Sequence, residues 1–320
     1  MIDATGTPDA DLARLVPDAH AALLDYGHAT SQTYARLVRD RVNPRAALPG
    51  TKAESAATFA GVETRRFDAD RADARVHRSD AFAGLEFAPA SGVKVGAIVT
   101  GDQGTVTNPV YRAESSGFGG GLYGDVAANE NLSFMASGVY SAQEHDAQRD
   151  TLAGRAVSTP KSEEMAASLG VRYRATVGES FEFAPTAAIG YSRSRVAAFT
   201  ESGVADALHV DKFASEKYTA SATLSSLWKT QLAGRAFNVE LITGVEQVLD
   251  ERVDTPEASM VNSPSVRYPV RLRDGSDTAF VYGLNVGWNV AGPATLFLGY
   301  EGRAGADESQ GVNAGVRVRF

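Results

Sequence analysis

The last strand of the chain is visible in the alternation of its residues. Apolar side chains occupy every second position from Val312 to Phe320, and the positions between them hold Gly, Asn and Arg. A repeat of two is the period of a β-strand, whose successive side chains point to opposite faces of the sheet. One face of this strand is therefore apolar up to its last residue, and the other face is polar or charged.

The same alternation recurs along most of the chain. Apolar residues alternate with glycine, amide and charged residues from Phe280 to Val290 and from Leu296 to Arg303. Similar runs lie at residues 81–87, 93–99, 118–126, 132–140, 165–173, 183–191, 218–228 and 237–245, with a weaker first run at 57–66. The pattern predicts an all-β protein of about twelve antiparallel strands, a number found among outer-membrane barrels.

The segments between these runs alternate in length. Short, turn-forming segments lie at 88–92, 127–131, 177–180, 231–234 and 291–293. Longer polar segments lie at 68–75, 102–112, 144–160, 200–214 and 250–277. Tight turns on one side and long loops on the other are typical of transmembrane β-barrels, in which the turns are periplasmic and the loops extracellular. A soluble β-barrel shares the alternation of the strands but has no reason to keep this asymmetry.

Aromatic residues on the apolar faces fall into two groups, one near each end of the strands. Near the short turns the aromatic residues are Phe87, Phe134, Tyr173, Phe183, Trp228, Phe237, Trp288 and Phe320. Near the long segments they are Tyr140, Tyr191, Tyr218, Phe280, Tyr282 and Tyr300. We interpret the two groups as the aromatic girdles of a membrane-spanning barrel. The alternative is the general preference of aromatic residues for strands.

Residues 11–45 have helical rather than alternating spacing. We expect Gly27 to break this helix and Pro44 to end it. The second piece carries three cations, Arg36, Arg39 and Arg41. A surface helix or tether has the same pattern.

The dimensions of a twelve-stranded barrel favour a helix inside it. Strands about 4.8 Å apart and tilted by about 40° form a barrel with a backbone diameter of roughly 24 Å. Side chains of about 5 Å on each wall leave roughly 14 Å, which accommodates one helix of about 10 to 12 Å. We therefore expect residues 31–43 to form an α-helix threaded through the lumen.

Charged residues occur at regular positions on the polar faces of the strands. They predict a polar lumen, and the lumen-facing charges are Glu86, Glu164, Arg172, Glu240, Glu246, Glu301, Arg303 and Arg317. We expect the helix arginines to meet inward carboxylates such as Glu240, Glu246 and Glu301, because a charge with little water around it is costly without a partner.

The composition excludes several classes of protein. Apolar residues make up 43% of the 320 residues, and none of the apolar runs approaches the about 18 residues of a spanning helix. The chain has 0 cysteines, which removes thiol catalysis, thiolate metal sites and disulfides. With a net charge of -8, the chain has no excess of basic residues with which to bind nucleic acid. Met1, Ile2 and Asp3 do not begin a secretory signal, so we expect the export signal to lie upstream in a longer precursor.

Few residues suggest catalysis or cofactor binding. The 5 histidines lack the spacing of metal ligands, and the sequence contains no Gly-x-Ser-x-Gly motif. The glycines of residues 117–121 alternate with Phe118 and Leu122, which favours a strand with a clear inner face over a phosphate-binding loop. His145 and Asp146 fall in the predicted loop 144–160, where a surface-protease site is possible in principle, but a solvated loop fits better. We therefore expect no enzyme activity, no metal site and no cofactor.

The whole pattern, a helix followed by about twelve alternating strands and a terminal Gly-Val-Arg-Val-Arg-Phe, resembles the translocator β-domain of monomeric autotransporters, the type V secretion proteins. The resemblance covers roughly residues 30–320. It implies an N-terminal linker and pore helix at 1–45, an outer-membrane β-barrel at 46–320, and export and surface display of an N-terminal passenger in cis. It also implies a monomer in contact with outer-membrane lipid. Val316, Val318 and Phe320 resemble the signal that the barrel assembly machinery recognises.

Two features depart from the family's pattern. A large passenger usually precedes the helix, whereas only about 30 residues precede it here. Members that cleave themselves often carry an Asn-Asn pair in the helix, whereas Asn43 is followed by Pro44. The alternatives are an outer-membrane diffusion pore or channel and, less favoured, a surface-protease-type barrel enzyme. A plugged lumen would separate the translocator from the open pore.

The final strand generates one testable expectation. Deleting Phe320 should lower the amount of protein in the outer membrane, because the terminal aromatic residue is both lipid-facing surface and assembly signal. Quantification of folded protein in outer-membrane fractions measures the effect. Undiminished levels of the truncated protein would contradict this role.

Overall fold

The computed structural model describes residues 17–42, 56–69, 74–254, 256–269, 278–305 and 308–320. A 3-10 turn, Pro17–Ala21, leads into one α-helix, α1, Ala22–Val42. The strands are β1 Ala56–Ala69, β2 Ala74–Ala90, β3 Val93–Asn108, β4 Tyr111–Ala127, β5 Leu132–Thr151, β6 Gly154–Ser158, β7 Lys161–Tyr173, β8 Ala175–Val177, β9 Phe181–Val196, β10 Phe199–Thr200, β11 Leu208–Val210, β12 Phe213–Leu232, β13 Arg235–Val253, β14 Glu257–Met260, β15 Ser263–Pro269, β16 Thr278–Ala291, β17 Ala294–Gly305 and β18 Glu308–Arg319.

Twelve of these strands form a closed antiparallel barrel. Each pairs with its neighbours in the order β1, β2, β3, β4, β5, β7, β9, β12, β13, β16, β17 and β18. The barrel closes between β18 and β1, whose register runs from Ala57 opposite Arg319 to Asp68 opposite Glu308. Closure leaves no edge of unpaired backbone groups, as a sheet in lipid requires. The fold predicted from the alternation, an all-β twelve-stranded barrel with an N-terminal helix, is confirmed.

The two faces of the barrel differ as the alternation predicts. On the outer face, Leu241, Leu284 and Leu298 are 51%, 46% and 54% exposed. On the inner face, neighbouring positions such as Asn285 are buried. Among the described residues, no helix is both long and apolar enough to cross a membrane.

The five predicted short turns all connect neighbouring barrel strands. In four of them a glycine has a φ between +45° and +75°, a conformation that side chains with a Cβ rarely adopt: Gly92, Gly178, Gly234 and Gly292. These turns and the C-terminus lie at one end of the barrel, which we call the turn end. The opposite end is the loop end.

At the loop end, two predicted loops are strands instead. Residues 102–112 continue β3 to Asn108 and begin β4 at Tyr111, so the connection is a two-residue turn. Most of residues 144–160 belongs to β5 and its partner β6. The strict alternation of short and long loops is therefore wrong here. The physical reason is that the period of two persists, with Val106, Ala113 and Ala147 buried on the inner face.

Two of the three remaining long segments, 200–214 and 250–277, build a second sheet at the loop end. Its four antiparallel strands pair in the order β10, β11, β14 and β15. Phe199, Leu208, Val210 and Ala258 of this sheet are buried in the same apolar cluster as the start of the helix. We call it the cap sheet.

The helix does not break at Gly27, contrary to the prediction. It continues through this residue, whose Cα lies so close to the side chains of Glu164 and Ser194 that a Cβ would collide with both. Glycine is therefore needed for close packing at this position and does not end the helix. Pro44 and the predicted domain boundary at residue 45 lie outside the described residues.

The facing of the strands can be tested with arginine substitutions. Leu284→Arg should reduce the free energy of unfolding in lipid vesicles by roughly 2 to 4 kcal/mol, because it places a charge on the lipid-facing surface. Ser221→Arg is the matched control, since Ser221 faces the lumen opposite Glu246 in the strand register. Equal destabilisation by the two substitutions, measured by urea titration, would contradict the assigned facing.

Candidate functional site: the lumen and its helix

The helix lies inside the barrel with its N-terminal end at the loop end. His20 contacts Glu201, which lies between β10 and β11 of the cap sheet. Leu37 and Val38, near the other end of the helix, pack in a cluster with Phe59 and Tyr123 of the barrel wall. The chain therefore enters the lumen from the loop end and runs toward the turn end.

An apolar layer surrounds the helix at the loop end. The helix contributes Ala19, Ala22, Leu23, Leu24, Tyr26 and Ala29, all 6% exposed or less. The wall and the cap sheet contribute Phe67, Ala74, Val76, Val106, Tyr111, Ala113, Ala147, Val196, Phe199, Leu208, Val210, Phe213 and Ala258. We call this layer the collar.

Three polar groups at the collar, His20, Arg149 and Glu201, are paired with one another. His20 Nε2 donates to Glu201 Oε1 at 3.0 Å, and Arg149 holds the same carboxylate with hydrogen bonds of 2.8 and 2.7 Å. Tyr111 and Phe199 pack edge-on against the His20 ring. Burial raises the pKa of Glu201, but the hydrogen bonds from Arg149 and His20 outweigh it and hold the pKa at about 2. Glu201 thus joins the cap sheet, the wall and the start of the helix as an anion.

Below the collar, Arg78 is the centre of a buried charge cluster. Its guanidinium pairs with Asp80 at 2.6 Å and with Asp102 at 3.2 Å. It also donates to the hydroxyl of Thr30 on the helix. The side chain of Arg78 is 0% exposed, so the two carboxylates supply the compensation that its burial requires. We call Arg78, Asp80 and Asp102 the Arg78 cluster.

Two helix tyrosines contact the Arg78 cluster. The Arg78 guanidinium lies 5.6 Å from the ring centre of Tyr26 and 5.8 Å from that of Tyr34, within cation-π range. The Tyr26 hydroxyl donates to Asp102 at 2.8 Å. Gly104 and Gly119 on the wall leave the space that the Tyr26 and Tyr34 rings occupy, since a Cβ at either glycine would meet them. The absence of a side chain at these two glycines makes room for the two tyrosines.

Arg36 forms a second ionic contact between helix and wall. Its guanidinium donates to Glu63 on β1, and Arg65 Nε donates to the other oxygen of Glu63 at 3.1 Å. The Arg65 guanidinium nitrogen Nη2 lies 3.8 Å from Glu301 Oε1. Glu63 did not appear among the lumen-facing charges in the sequence analysis, because β1 has the weakest alternation. The side chains of Arg39 and Arg41 lie outside the described residues.

The helix is held against one side of the lumen. Its most extensive packing is on β7 and β9, and it also contacts β1 to β5. Near its C-terminal end, Tyr34, Leu37 and Val38 lie in one cluster with the large side chains Phe59, Phe82, Ile98 and Tyr123 of β1 to β4. On the other side, a cavity of about 180 Å³ separates Gln32 and Ala35 from the wall. The far wall is lined by the small residues Thr219, Ser221 and Thr223 of β12. Where β9 adjoins β12, the cavity is lined by Thr186, Ala188, Gly190 and Ser192.

The other predicted lumen charges have polar partners in the structure. Glu86 accepts a hydrogen bond from Tyr123 and pairs with Arg317, and Glu164 accepts one from Ser194. The remaining contacts are Arg172 with Asp125, Glu240 with Ser225 and Asn285, and Glu246 with Arg303. Sequence reasoning missed the Arg78 cluster, although the Arg-x-Asp spacing of Arg78 and Asp80 within an alternating strand is a signal for it.

The remaining predicted site residues lie on β5 and β18. His145 is not in a loop: it lies on β5, is 0% exposed and hydrogen-bonds to Ser115 at 2.6 Å and Ser162 at 2.9 Å. Val316 and Val318 pair with residues of β1 and β17, and Phe320 is 70% exposed at the turn end.

The closed barrel, its apolar outer face and the helix in its lumen define a class: a transmembrane β-barrel occupied by its own N-terminal helix. A model of the autotransporter β-domain family matches residues 55–301. The chain belongs to this family, and it is an outer-membrane translocator and anchor domain. This agrees with the family resemblance seen in the sequence.

Solved structures share the fold. The translocator domain of the autotransporter NalP from Neisseria meningitidis is 13% identical, with a TM-score of 0.75 over 94% of this chain and 99% of that one. The β-domain of the Bordetella autotransporter BrkA is 16% identical, with a TM-score of 0.62 over 83% of this chain and 100% of that one. The search of curated proteins gave no match.

The Arg78 cluster generates a stability test. Arg78→Met should lower the free energy of unfolding by about 3 to 5 kcal/mol, because it leaves two buried carboxylates without their cation. The triple variant Arg78→Met, Asp80→Asn, Asp102→Asn should regain part of this loss, since it removes the unpaired charges too. Urea titration of the folded barrel measures both. If the single and the triple variant were equally destabilised, charge compensation would not be the reason for the cluster.

Proposed function

We propose that this barrel holds a passenger, joined in cis to the N-terminal side of the helix, at the bacterial cell surface. The loop end would face the outside and the turn end the periplasm. The observation that carries the proposal is the direction of the helix, whose N-terminal end lies at the loop end beside Glu201. Any chain upstream of Pro17 would therefore emerge at the loop end.

The contacts of the helix support a role as an anchor after export. Leu23 and Leu24 are 0% exposed in the collar, and Arg36 pairs with Glu63 deeper in the lumen. Packing and charge pairing act on the same helix at different depths, so a pulling force on the passenger would have to break both. An open diffusion pore has no need of such a helix.

The outer face and the last strand support the partners that we propose. Leu241, Leu284 and Leu298 would contact outer-membrane lipid. Val316, Val318 and Phe320 would present the signal read by the barrel assembly machinery. We also propose that the domain acts as a monomer, because a closed barrel leaves no strand edge for pairing with a second copy.

We propose a role in transport and anchoring rather than in catalysis. His145, the residue with which the sequence suggested a surface-protease site, is buried beneath the collar against Tyr26. Both of its ring nitrogens are within hydrogen-bond distance of serine hydroxyls. A protease that acts on other proteins needs an accessible site, and this histidine has none.

The orientation can be tested with epitope tags in intact cells. A tag inserted after Ala153, in the tip between β5 and β6, should be degraded by protease added outside, because this tip lies at the loop end. A tag inserted after Gly178, in the turn between β8 and β9, is the matched control and should be protected until the outer membrane is permeabilised. The reverse pattern of protection would contradict the proposed orientation.

A further inference from the structure

The lumen has two layers of different character, the apolar collar and, below it, a cavity that several charged side chains line. In the collar, Val76, Val106, Val196 and Val210 are 0% exposed and belong to the same cluster as Leu23 of the helix. Below it, the cavity beside the helix is lined by charged and hydroxyl side chains as well as by apolar ones such as Met135 and Val281. The two layers are close together: on β12, Phe213 belongs to the collar and Lys217 already lines the cavity.

The collar surrounds the helix on most sides. Barrel strands β1 to β5, β9 and β12 contribute buried residues, and Val253 of β13 packs against them. The cap sheet closes over this layer with Phe199, Leu208 and Ala258. Its polar groups His20, Arg149 and Glu201 are bonded to one another, which leaves little capacity to hydrate a passing ion.

The cavity below the collar can hold water. Its volume of about 180 Å³ has room for on the order of ten water molecules. Lys217, Glu246, Glu301 and Arg303 line it and offer hydrogen bonds to water. Arg36 and Arg65 also line it, so the ionic contact between helix and wall lies beside this cavity.

We propose that the collar is the permeability barrier of this domain and that the lumen below it is a water-filled chamber. Narrow apolar layers block ions because water leaves them readily, which makes ion entry costly. The helix as such would then not seal the barrel. The seal would be the apolar fit between Leu23, Leu24 and the residues around them. The inference rests on the barrel spanning a membrane, but not on the identity or presence of a passenger.

Single-channel conductance in planar bilayers separates the collar from the ionic contact. The double variant Leu23→Ser, Val210→Ser should conduct ions several-fold better than the unaltered protein, because hydroxyls allow water into the collar. The control Leu23→Met keeps the collar apolar and should stay closed. A second control, Arg36→Gln with Glu63→Gln, removes the ionic contact below the collar and should also stay closed.

A cysteine reporter tests the water-filled chamber independently, since the chain has 0 cysteines of its own. In the folded protein, a small cationic thiol reagent should label Ser221→Cys, which lines the cavity, and should leave Ala113→Cys in the collar unlabelled. Heat-dependent migration on a gel shows for every variant whether the barrel is folded, and only folded protein is compared.

Two results, one in conductance and one in cysteine labelling, would overturn the inference. An increase in conductance in the Arg36→Gln, Glu63→Gln variant without one in the Leu23→Ser, Val210→Ser variant would place the barrier at the ionic contact. Failure of the reagent to label Ser221→Cys in folded protein would show that the cavity is dry. Neither result depends on surface display, so the proposed anchoring function would be judged separately by the epitope tags.

Discussion

Closure of the sheet between β1 and β18 is the constraint on which the rest of the structure depends. In hydrocarbon no water is present to bond a free strand edge, so each strand must be paired on both sides. Closure also sorts the side chains, because alternate residues must face either lipid or lumen. Twelve strands then enclose an interior wider than their own side chains fill, and this space accommodates one helix.

The lumen is adapted to a helix that lies off its axis. Large side chains such as Phe59 and Tyr123 cluster with the helix on one side, and small hydroxyl residues such as Ser221 lie across the cavity. Where the helix itself has large side chains, the wall has glycine, as Gly104 and Gly119 show opposite Tyr26 and Tyr34. Charges inside are compensated by groups of the opposite sign, as in Arg78 with Asp80 and Asp102, or by hydrogen bonds, as in Glu164 with Ser194. Shape and charge together define one position for the helix.

Much of this fold could be predicted from the sequence, because alternation reports directly which face of a strand a residue occupies. The twelve strands, the tight turns and an N-terminal helix all follow from spacing. The prediction fails where a polar segment remains a strand. Residues 102–112 and 144–160 are polar, yet they remain strands because their inward positions are either apolar, as at Val106 and Ala147, or polar with a partner inside the barrel, as at Asp102 and Arg149.

The contacts inside the lumen could not be predicted in the same way. Alternation gives the face of each residue, but partners depend on strand register and on the rotation of the helix. Glu63 was therefore missed as the partner of Arg36, and Gly27 was assigned to a helix break when it permits close packing. His145 was placed in a loop because nothing local in the sequence shows that Ser115 and Ser162 flank it.

A short cysteine cross-linker tests most directly whether the helix lies inside the barrel in one defined position. His28 Nε2 lies 3.0 Å from Ser215 Oγ on the inner wall, whereas Ser226, on the same strand, faces outward. The pair His28→Cys, Ser215→Cys should cross-link within the folded barrel and change the gel mobility of the unfolded chain. The pair His28→Cys, Ser226→Cys should not. Cross-linking of the second pair, or of neither, in folded protein would contradict the account.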